Sequence, residues 1–224
     1  IVCDIGTGSV KSAVFDSTGA QRAAAVGEYP RGSQRSGEID PEVWWSAFKA
    51  SIISLAGRTS LSEVARIILS GQMQNLILLD GEGQPVGPAI LYFDARGEGQ
   101  LPALFSRIAR SRIVEITGNT PDGTGFPAKL LALKAQSPEL LEKTDRILCG
   151  AHDYIAHRLT GVARTDTTTA GTTGLLDLSS RNWSQELVEA LPIEPELLPE
   201  VCLAQDSDGA IAQGPAEELG LPAE

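Results

Sequence analysis

IVCDIGTGSVKSAVFD, residues 1–16, consists of two short apolar runs around a turn of glycine, threonine and serine. This pattern predicts a β-hairpin with a tip rich in backbone N–H groups. Gly6 and Gly8 allow the backbone to approach a bulky anion closely, and successive free N–H groups form a concave site suited to phosphate oxygens. The turn is neither a Walker A loop nor a dinucleotide fingerprint, because no helical pattern follows it.

The side chains around this turn fit a phosphate group held together with a cation. Thr7 and Ser9 supply hydroxyl donors, and Lys11 supplies a positive charge. Asp4 would repel phosphate directly, so we expect it to act through Mg²⁺, a hard cation that bridges carboxylate and phosphate oxygens. An ordinary glycine-rich hairpin with a solvated aspartate is the alternative that these residues alone leave open.

The composition is that of a soluble globular protein. The 224 residues are 42% hydrophobic and 21% charged, and the formal net charge is −11. The chain is long enough to bury a sizeable core, and no apolar run approaches the ~20 residues of a membrane span. The negative charge opposes binding to nucleic acid. Cys3, Cys149 and Cys202 are spaced too widely for a disulfide framework or a zinc site, which favours a reducing cytoplasm.

Strand patterns dominate the first part of the chain and helical patterns the second. Asp40 is a good N-cap, Pro41 suits the first helical position, and apolar residues at helical spacing carry this helix to about Ala56. We therefore predict an α/β domain with a mixed sheet, followed by a largely helical insertion. Further patterns predict buried strands over 65–70, 76–80 and 89–93, a helix over 96–112, and an aperiodic cleft-lining segment over 165–173.

Polar side chains follow two of the predicted strands. Gln72, Met73 and Gln74 come after the first of these strands, at the edge where ligands usually bind in α/β sheets. Asp94 and Arg96 come after the third and bring a carboxylate and a guanidinium to one edge. A carboxylate accepts two hydroxyl donors, the arrangement that a polyol requires. A surface ion pair of little energetic value is the alternative for Asp94 and Arg96.

Taken in order, these segments resemble the FGGY family of carbohydrate kinases, within the actin-like ATPase superfamily. No segment is decisive alone, but the ordered set covers almost the whole chain. The matching segments are DIGTGSVK (4–11), GEIDPEVWW (37–45), LSGQM (69–73), AIL (89–91), Asp94 with Arg96, TGN (117–119), KLL (129–131), Asp153-Tyr154, LTG (159–161) and GLLD (174–177). The resemblance implies an actin-like, ribonuclease H-like fold and ATP-dependent phosphorylation of a sugar or polyol hydroxyl, with D-xylulose the first candidate substrate.

The resemblance also implies roles for single residues and a missing partner domain. Residues 1–224 would form the N-terminal, sugar-binding domain, and the C-terminal actin-like domain would be absent from this chain. The general base, an aspartate in a Gly-Gly-Asp type motif, is expected after Glu224, and an apolar face is expected where the second domain packs. The implied site residues are Asp4 for Mg²⁺, then Gly6, Thr7, Gly8, Ser9 and Lys11 for the phosphates of ATP, and Gln72, Met73, Gln74, Asp94 and Arg96 for the sugar.

Two positions depart from the pattern of kinases for xylulose, and both are expected near the sugar. Gln74 stands where those kinases have histidine, and Thr169 stands where they have aspartate. The segment around Thr169 is more similar to the autoinducer-2 kinase branch. Three hypotheses therefore stay open: a ketopentose kinase; a family member for another pentulose, a polyol or a linear signalling sugar; and a non-catalytic actin-like module that binds nucleotide or sugar.

No membrane or nucleic-acid partner is expected, and a homodimer is left open. His152 and His157 are expected to be ordinary members of one helix.

Overall fold

Strands and helices alternate along residues 1–34 and 37–222, which the computed structural model describes. The strands are β1 (Val2–Ile5), β2 (Ser9–Phe15), β3 (Gln21–Glu28), β4 (Glu38–Ile39), β5 (Ile68–Gly71), β6 (Met73–Leu79), β7 (Ala89–Ile90), β8 (Arg146–Gly150), β9 (Arg164–Asp166), β10 (Leu176–Asp177), β11 (Asn182–Trp183) and β12 (Glu200–Cys202). The helices are α1 (Pro41–Ala56), α2 (Leu101–Arg107), α3 (Arg110–Thr117), α4 (Phe126–Gln136), α5 (Pro138–Glu142), α6 (Ala151–Thr160), α7 (Thr167–Thr172), α8 (Gln185–Glu189) and α9 (Gln213–Leu219), with 3₁₀ turns at Glu98–Gln100 and Pro195–Leu197.

The opening hairpin is the centre of the first sheet. β1 and β2 pair antiparallel from Val2–Ala13 to Ile5–Val10, which confirms the predicted hairpin. β3 extends the sheet antiparallel to β2, and β5 pairs in parallel with β1. The strand order β3-β2-β1-β5 makes this sheet mixed, as predicted.

A second sheet begins directly where the first one ends. Its order is β4-β7-β6-β8, with β6 antiparallel to both neighbours. Gln72 is the single residue between β5 and β6, so the chain passes from one sheet to the other at this position. Met73 at the start of β6 pairs with Gly150 at the end of β8. The strand end predicted to bind a ligand at Gln72–Gln74 therefore lies at the junction of the two sheets.

Two hydrophobic cores lie between the sheets and the helices. The first is shared by both sheets, since it joins Ile5 of β1 to Ile77 of β6, and α1 inserts Trp44, Trp45 and Phe48 into it, which are all buried. The start of α1 is as predicted: the Asp40 side chain accepts from the Glu42 N–H, with proline at the first helical position. The helices from α2 to α5 pack with α8 against the second sheet and form the predicted helical insertion.

Several predicted elements differ from the structure. The helix predicted over 96–112 is interrupted, because Ile108 adopts an extended conformation (φ −145°, ψ 133°) that ends α2. The predicted strand over 89–93 stops at Ile90, since the chain turns where the Asp94 N–H donates to the Leu91 carbonyl. The strand predicted as buried over 65–70 is β5, an edge strand of the described sheet whose Ile68 is 57% exposed. The aperiodic segment over 165–173 contains helix α7.

All three cysteines are free, with Cys3 and Cys149 buried and Cys202 half-buried. Within the described residues, no helix combines the length and the apolar character that crossing a membrane requires.

Candidate active site

The carbonyl of Gly6, at the tip of the opening hairpin, accepts two hydrogen bonds. The tip is closed by the Gly6 N–H, which donates to the Ser9 carbonyl at 3.0 Å. The Tyr29 hydroxyl donates to the Gly6 carbonyl at 2.9 Å, and the Gln72 side-chain amide donates to it at 2.7 Å. Both acceptor positions of this oxygen are therefore filled by the protein.

The remaining carbonyls of the Gly6–Ser9 loop also face the protein. The Thr7 carbonyl accepts from the Gln34 side-chain amide, and the Gly8 carbonyl accepts from the Tyr29 N–H at 3.3 Å. In contrast, no hydrogen bond within residues 1–34 and 37–222 uses the N–H of Thr7 or Gly8. An exposed turn with bonded carbonyls and free N–H groups has the polarity that an anion requires.

Asp4 and Lys11 flank this loop. They are register partners in the β1–β2 pair, and both side chains are exposed. The described residues contain no cluster of three or more histidine, cysteine, aspartate or glutamate side chains that could hold a metal ion. Mg²⁺ nevertheless fits this position, because it keeps several waters and is commonly bound by one or two carboxylates together with substrate phosphates.

The segment Gln72–Gln74 connects the loop to a polar cavity. Met73 is 38% exposed, whereas the Gln74 side-chain amide lies near the Thr124 carbonyl and hydroxyl at 3.3 and 3.4 Å. Gln74 has a φ of 59°, a conformation that non-glycine residues rarely adopt and that is common at functional sites. Gln72 differs from Met73 and Gln74, because its side-chain amide contacts the Gly6–Ser9 loop.

The cavity beside Gln74 has a volume of about 330 Å³. Hydroxyl, amide and carboxylate side chains contribute much of its lining, including Asn119, Asp122, Thr124 and Thr172. A site of this size, with several converging polar groups, suits a small polyhydroxylated molecule. Thr169 does not line this cavity, although it was expected near the sugar; it is buried and donates to the Asp166 carboxylate at 2.7 Å.

Asp94 and Arg96 form a half-buried network with Glu38, a residue that the sequence analysis did not single out. The Arg96 guanidinium donates to both carboxylate oxygens of Asp94, at 2.9 and 3.0 Å, and to Glu38 at 2.6 Å. Burial acts to raise the pKa of Asp94, but the hydrogen bonds from Arg96 hold it below its usual range. The Asp94 side chain is only 9% exposed, so this is more than a surface ion pair.

Lys129 is a second residue that the sequence analysis did not assign to the site. It is fully buried in α4, and its ammonium group donates to the Leu91 carbonyl at 2.7 Å. Burial lowers the pKa of Lys129 to about 8, although the charges of Asp94 and Asp122 oppose this shift. A lysine within the apolar run FPAKLLAL (126–133) indicates a buried charge. The sequence does not indicate that its hydrogen-bond partner is the Leu91 carbonyl.

A larger groove of about 690 Å³ lies along the outer side of β5, away from the predicted site residues. His152 is in its wall, with Nε2 3.1 Å from the Thr169 hydroxyl and 3.3 Å from the Asp153 carboxylate. Burial raises the pKa of Asp153 to about 6. His152 and His157 both belong to α6, as predicted. The composition of the groove gives no reason to place a sugar or a nucleotide there.

Solved sugar kinases share this fold. The structure of xylulose kinase from Rhodospirillum rubrum is 27% identical and matches with a TM-score of 0.90 over 99% of this chain and 46% of that chain. The chain belongs to the FGGY family of carbohydrate kinases, since the family model for their N-terminal domain matches residues 1–224. The predicted actin-like fold is thereby confirmed.

Curated relatives include xylulose kinases and an autoinducer-2 kinase. Xylulose kinase of Lactococcus lactis subsp. lactis is 33% identical over 97% of this chain and 44% of that protein. Xylulose kinase of Staphylococcus xylosus is 29% identical over 97% of this chain and 45% of that protein. Autoinducer-2 kinase of Klebsiella pneumoniae is 28% identical over 100% of this chain and 43% of that protein. The chain thus spans less than half the length of the relatives it matches.

Proposed function

We propose that the full-length protein is an ATP-dependent kinase that phosphorylates a hydroxyl of a ketopentose, D-xylulose first, and that residues 1–224 form its N-terminal domain. The observation that carries this proposal is the short stretch of chain between the Gly6–Ser9 loop, which suits an anion, and the polar cavity, which suits a polyol. Gln72 contacts the Gly6–Ser9 loop and Gln74 lines the polar cavity. Two residues of extended chain span at most about 7 Å, so the backbone positions that contact the loop and the cavity lie no further apart than this.

The residues of this chain suit phosphoryl transfer, in which catalysis consists largely of positioning and charge stabilisation. Bound Mg²⁺–ATP would supply the phosphoryl group to the sugar oxygen. The free N–H groups of Thr7 and Gly8 would bind phosphate oxygens, and Asp4 would hold the cation through its carboxylate. Gln74 would contact the sugar from the cavity wall. Met73, Asp94 and Arg96 do not line the described cavity, so these residues would act on the sugar from its surroundings. We propose that the general base and a second domain belong to the rest of the full-length protein.

A substrate panel tests this function. Full-length protein is assayed for ADP release with D-xylulose, D-ribulose, glycerol, D-gluconate and a linear five-carbon sugar. We expect kcat/KM to be highest for D-xylulose, by about tenfold or more, which corresponds to ~1.4 kcal/mol of differential transition-state binding. Nucleotide binding without ADP release for any acceptor would favour a non-catalytic module.

A kinase for a linear sugar is the second candidate. The observation that favours it is Gln74, which stands in the cavity wall where the xylulose-specific pattern has histidine. An amide replaces the ring at this position, so the hydroxyls of a linear acceptor would meet different donors and acceptors. The highest kcat/KM for the linear sugar in the same panel would select this candidate.

Asp4→Asn tests the role of the loop. The substitution removes the charge and keeps the size, so loss of cation binding should lower kcat by at least about tenfold, or ~1.4 kcal/mol of transition-state stabilisation. Steady-state kinetics over a range of Mg²⁺ concentrations should also show a higher requirement for the cation. Unchanged turnover with unchanged Mg²⁺ dependence would remove Asp4 from the mechanism.

A further inference from the structure

The direction of each N–H in the Gly6–Ser9 loop is set by the carbonyl of the preceding residue. In a planar trans peptide, the C=O of one residue and the N–H of the next point in opposite directions. The Gly6 carbonyl and the Thr7 N–H therefore move as one unit. Because the Gly6 carbonyl faces Tyr29 and Gln72, the Thr7 N–H faces the opposite side, where it has no partner within the described residues.

This peptide unit needs an anchor, because glycine allows the opposite orientation as well. Gly6 has no Cβ and can adopt conformations that other residues avoid. If the unit turned over, a carbonyl oxygen would replace the N–H on the outer face and would repel a phosphate. Two donors hold the observed orientation, and they come from different elements: Tyr29 follows β3, and Gln72 lies between β5 and β6.

Gln72 is itself held firmly. Its N–H donates to the Ile5 carbonyl at 3.0 Å, and its carbonyl accepts from the Ala151 N–H at 2.9 Å. Its side-chain oxygen Oε1 is buried and has no hydrogen-bond partner within the described residues. The contact with Gly6 is thus the hydrogen bond that orients this carboxamide, at the cost of leaving Oε1 unpaired.

We propose that Tyr29 and Gln72 are positioning residues for nucleotide binding: together they hold the Gly6 carbonyl inward and thereby aim the Thr7 N–H at a phosphate oxygen. This assignment rests on the proposed function of the loop. It changes the expected role of Gln72, which acts on the phosphate side of the site, whereas its neighbour Gln74 acts on the sugar side.

Tyr29→Phe and Gln72→Met test the proposal, because each removes a donor and keeps most of the volume. In the full-length enzyme, each should raise KM for Mg²⁺–ATP by about three- to tenfold. KM for the sugar should stay within about twofold of the wild-type value. The dissociation constant of Mg²⁺–ADP, measured by calorimetry, should rise in parallel.

A control variant and the melting temperature distinguish a positioning role from a general loss of stability. Gln185→Met makes the same exchange at an exposed position of α8 and should leave both KM values unchanged. If Tyr29→Phe and Gln72→Met leave nucleotide KM unchanged, or raise both KM values equally while lowering the melting temperature, the proposal is wrong. Wild-type enzyme without sugar-dependent ADP release would contradict the proposed function instead, so the two failures are distinguishable.

Discussion

Lys129 shows how one buried charge can support a site without touching the substrate. It is fully buried, yet its ammonium group makes a hydrogen bond to the carbonyl of Leu91, where the chain leaves β7 and turns toward Asp94. A buried ammonium is costly unless it is paired. The negative charge of Asp94 opposes the downward shift of the lysine pKa that burial causes. We infer that Lys129 fixes the turn that presents Asp94 and Arg96.

Lys129→Met should change how stability depends on pH. The folded-state pKa of Lys129 is about 8, below the ordinary lysine value of 10.5, so between these pH values the folded protein binds fewer protons than the unfolded chain. The free energy of unfolding of the wild type should therefore rise relative to Lys129→Met as the pH increases through this window, by about 1–3 kcal/mol. Urea unfolding at several pH values measures the difference.

Lys134→Met is the matched control, since Lys134 lies on the same helix but is exposed. Its stability difference from the wild type should not vary over this pH range. A difference between the wild type and Lys129→Met that is constant with pH would mean that the lysine is not buried as a titrating group.

At the scale of elements, the contact between β4 and the turn after β7 holds the Asp94–Arg96 network. Gly37, directly before β4, has a φ of +82°, and its carbonyl accepts from the Leu91 N–H at 2.8 Å. A Cβ at this position would lie 2.2 Å from the Asp94 carboxylate. Only glycine therefore lets the two elements approach this closely.

Gly37→Ala should displace Asp94 and disturb the sugar side of the site. We expect the full-length enzyme to lose about 1–3 kcal/mol of stability through backbone strain and overpacking. KM for the sugar should rise more than KM for ATP. Gly81→Ala is the control, because its Cβ would meet nothing within 4 Å. Equal behaviour of the two variants in denaturation and kinetics would show that the Gly37 contact is unimportant.

The sequence predicted elements whose signals are local. The hairpin has a glycine-rich turn and α1 has a capping aspartate and a proline, so both were recognised. The break after α2 was missed, because neither glycine nor proline marks Ile108. Long-range partners were missed for a different reason: Arg96 contacts Glu38 across 58 residues, and nothing local encodes that pairing. The sequence predicts Gln72 as a site residue. It does not show that the Gln72 side chain points to the Gly6–Ser9 loop, because that direction is set where the two sheets join.

At the scale of the whole molecule, we predict that the isolated chain of residues 1–224 is folded but largely inactive. It spans 45% of the xylulose kinase of Staphylococcus xylosus, and a kinase must hold nucleotide and acceptor in line for transfer. A coupled ADP-release assay should give a rate for the isolated chain that is at least about a thousandfold below that of the full-length protein. Robust sugar-dependent turnover would instead place the general base within these residues.

The chemistry of the three free cysteines has a practical consequence. Burial is the main reason that the pKa values of Cys3 and Cys202 rise to about 11, and that of Cys149 is raised as well. At pH 7 a thiol of pKa 11 is ionised to about one part in ten thousand, and the thiolate is the form that reacts. Within residues 1–224, a fluorophore should therefore go almost entirely to a cysteine introduced at an exposed position such as Glu63. With a second dye elsewhere in the full-length protein, energy transfer between the two would report whether sugar or nucleotide draws its parts together.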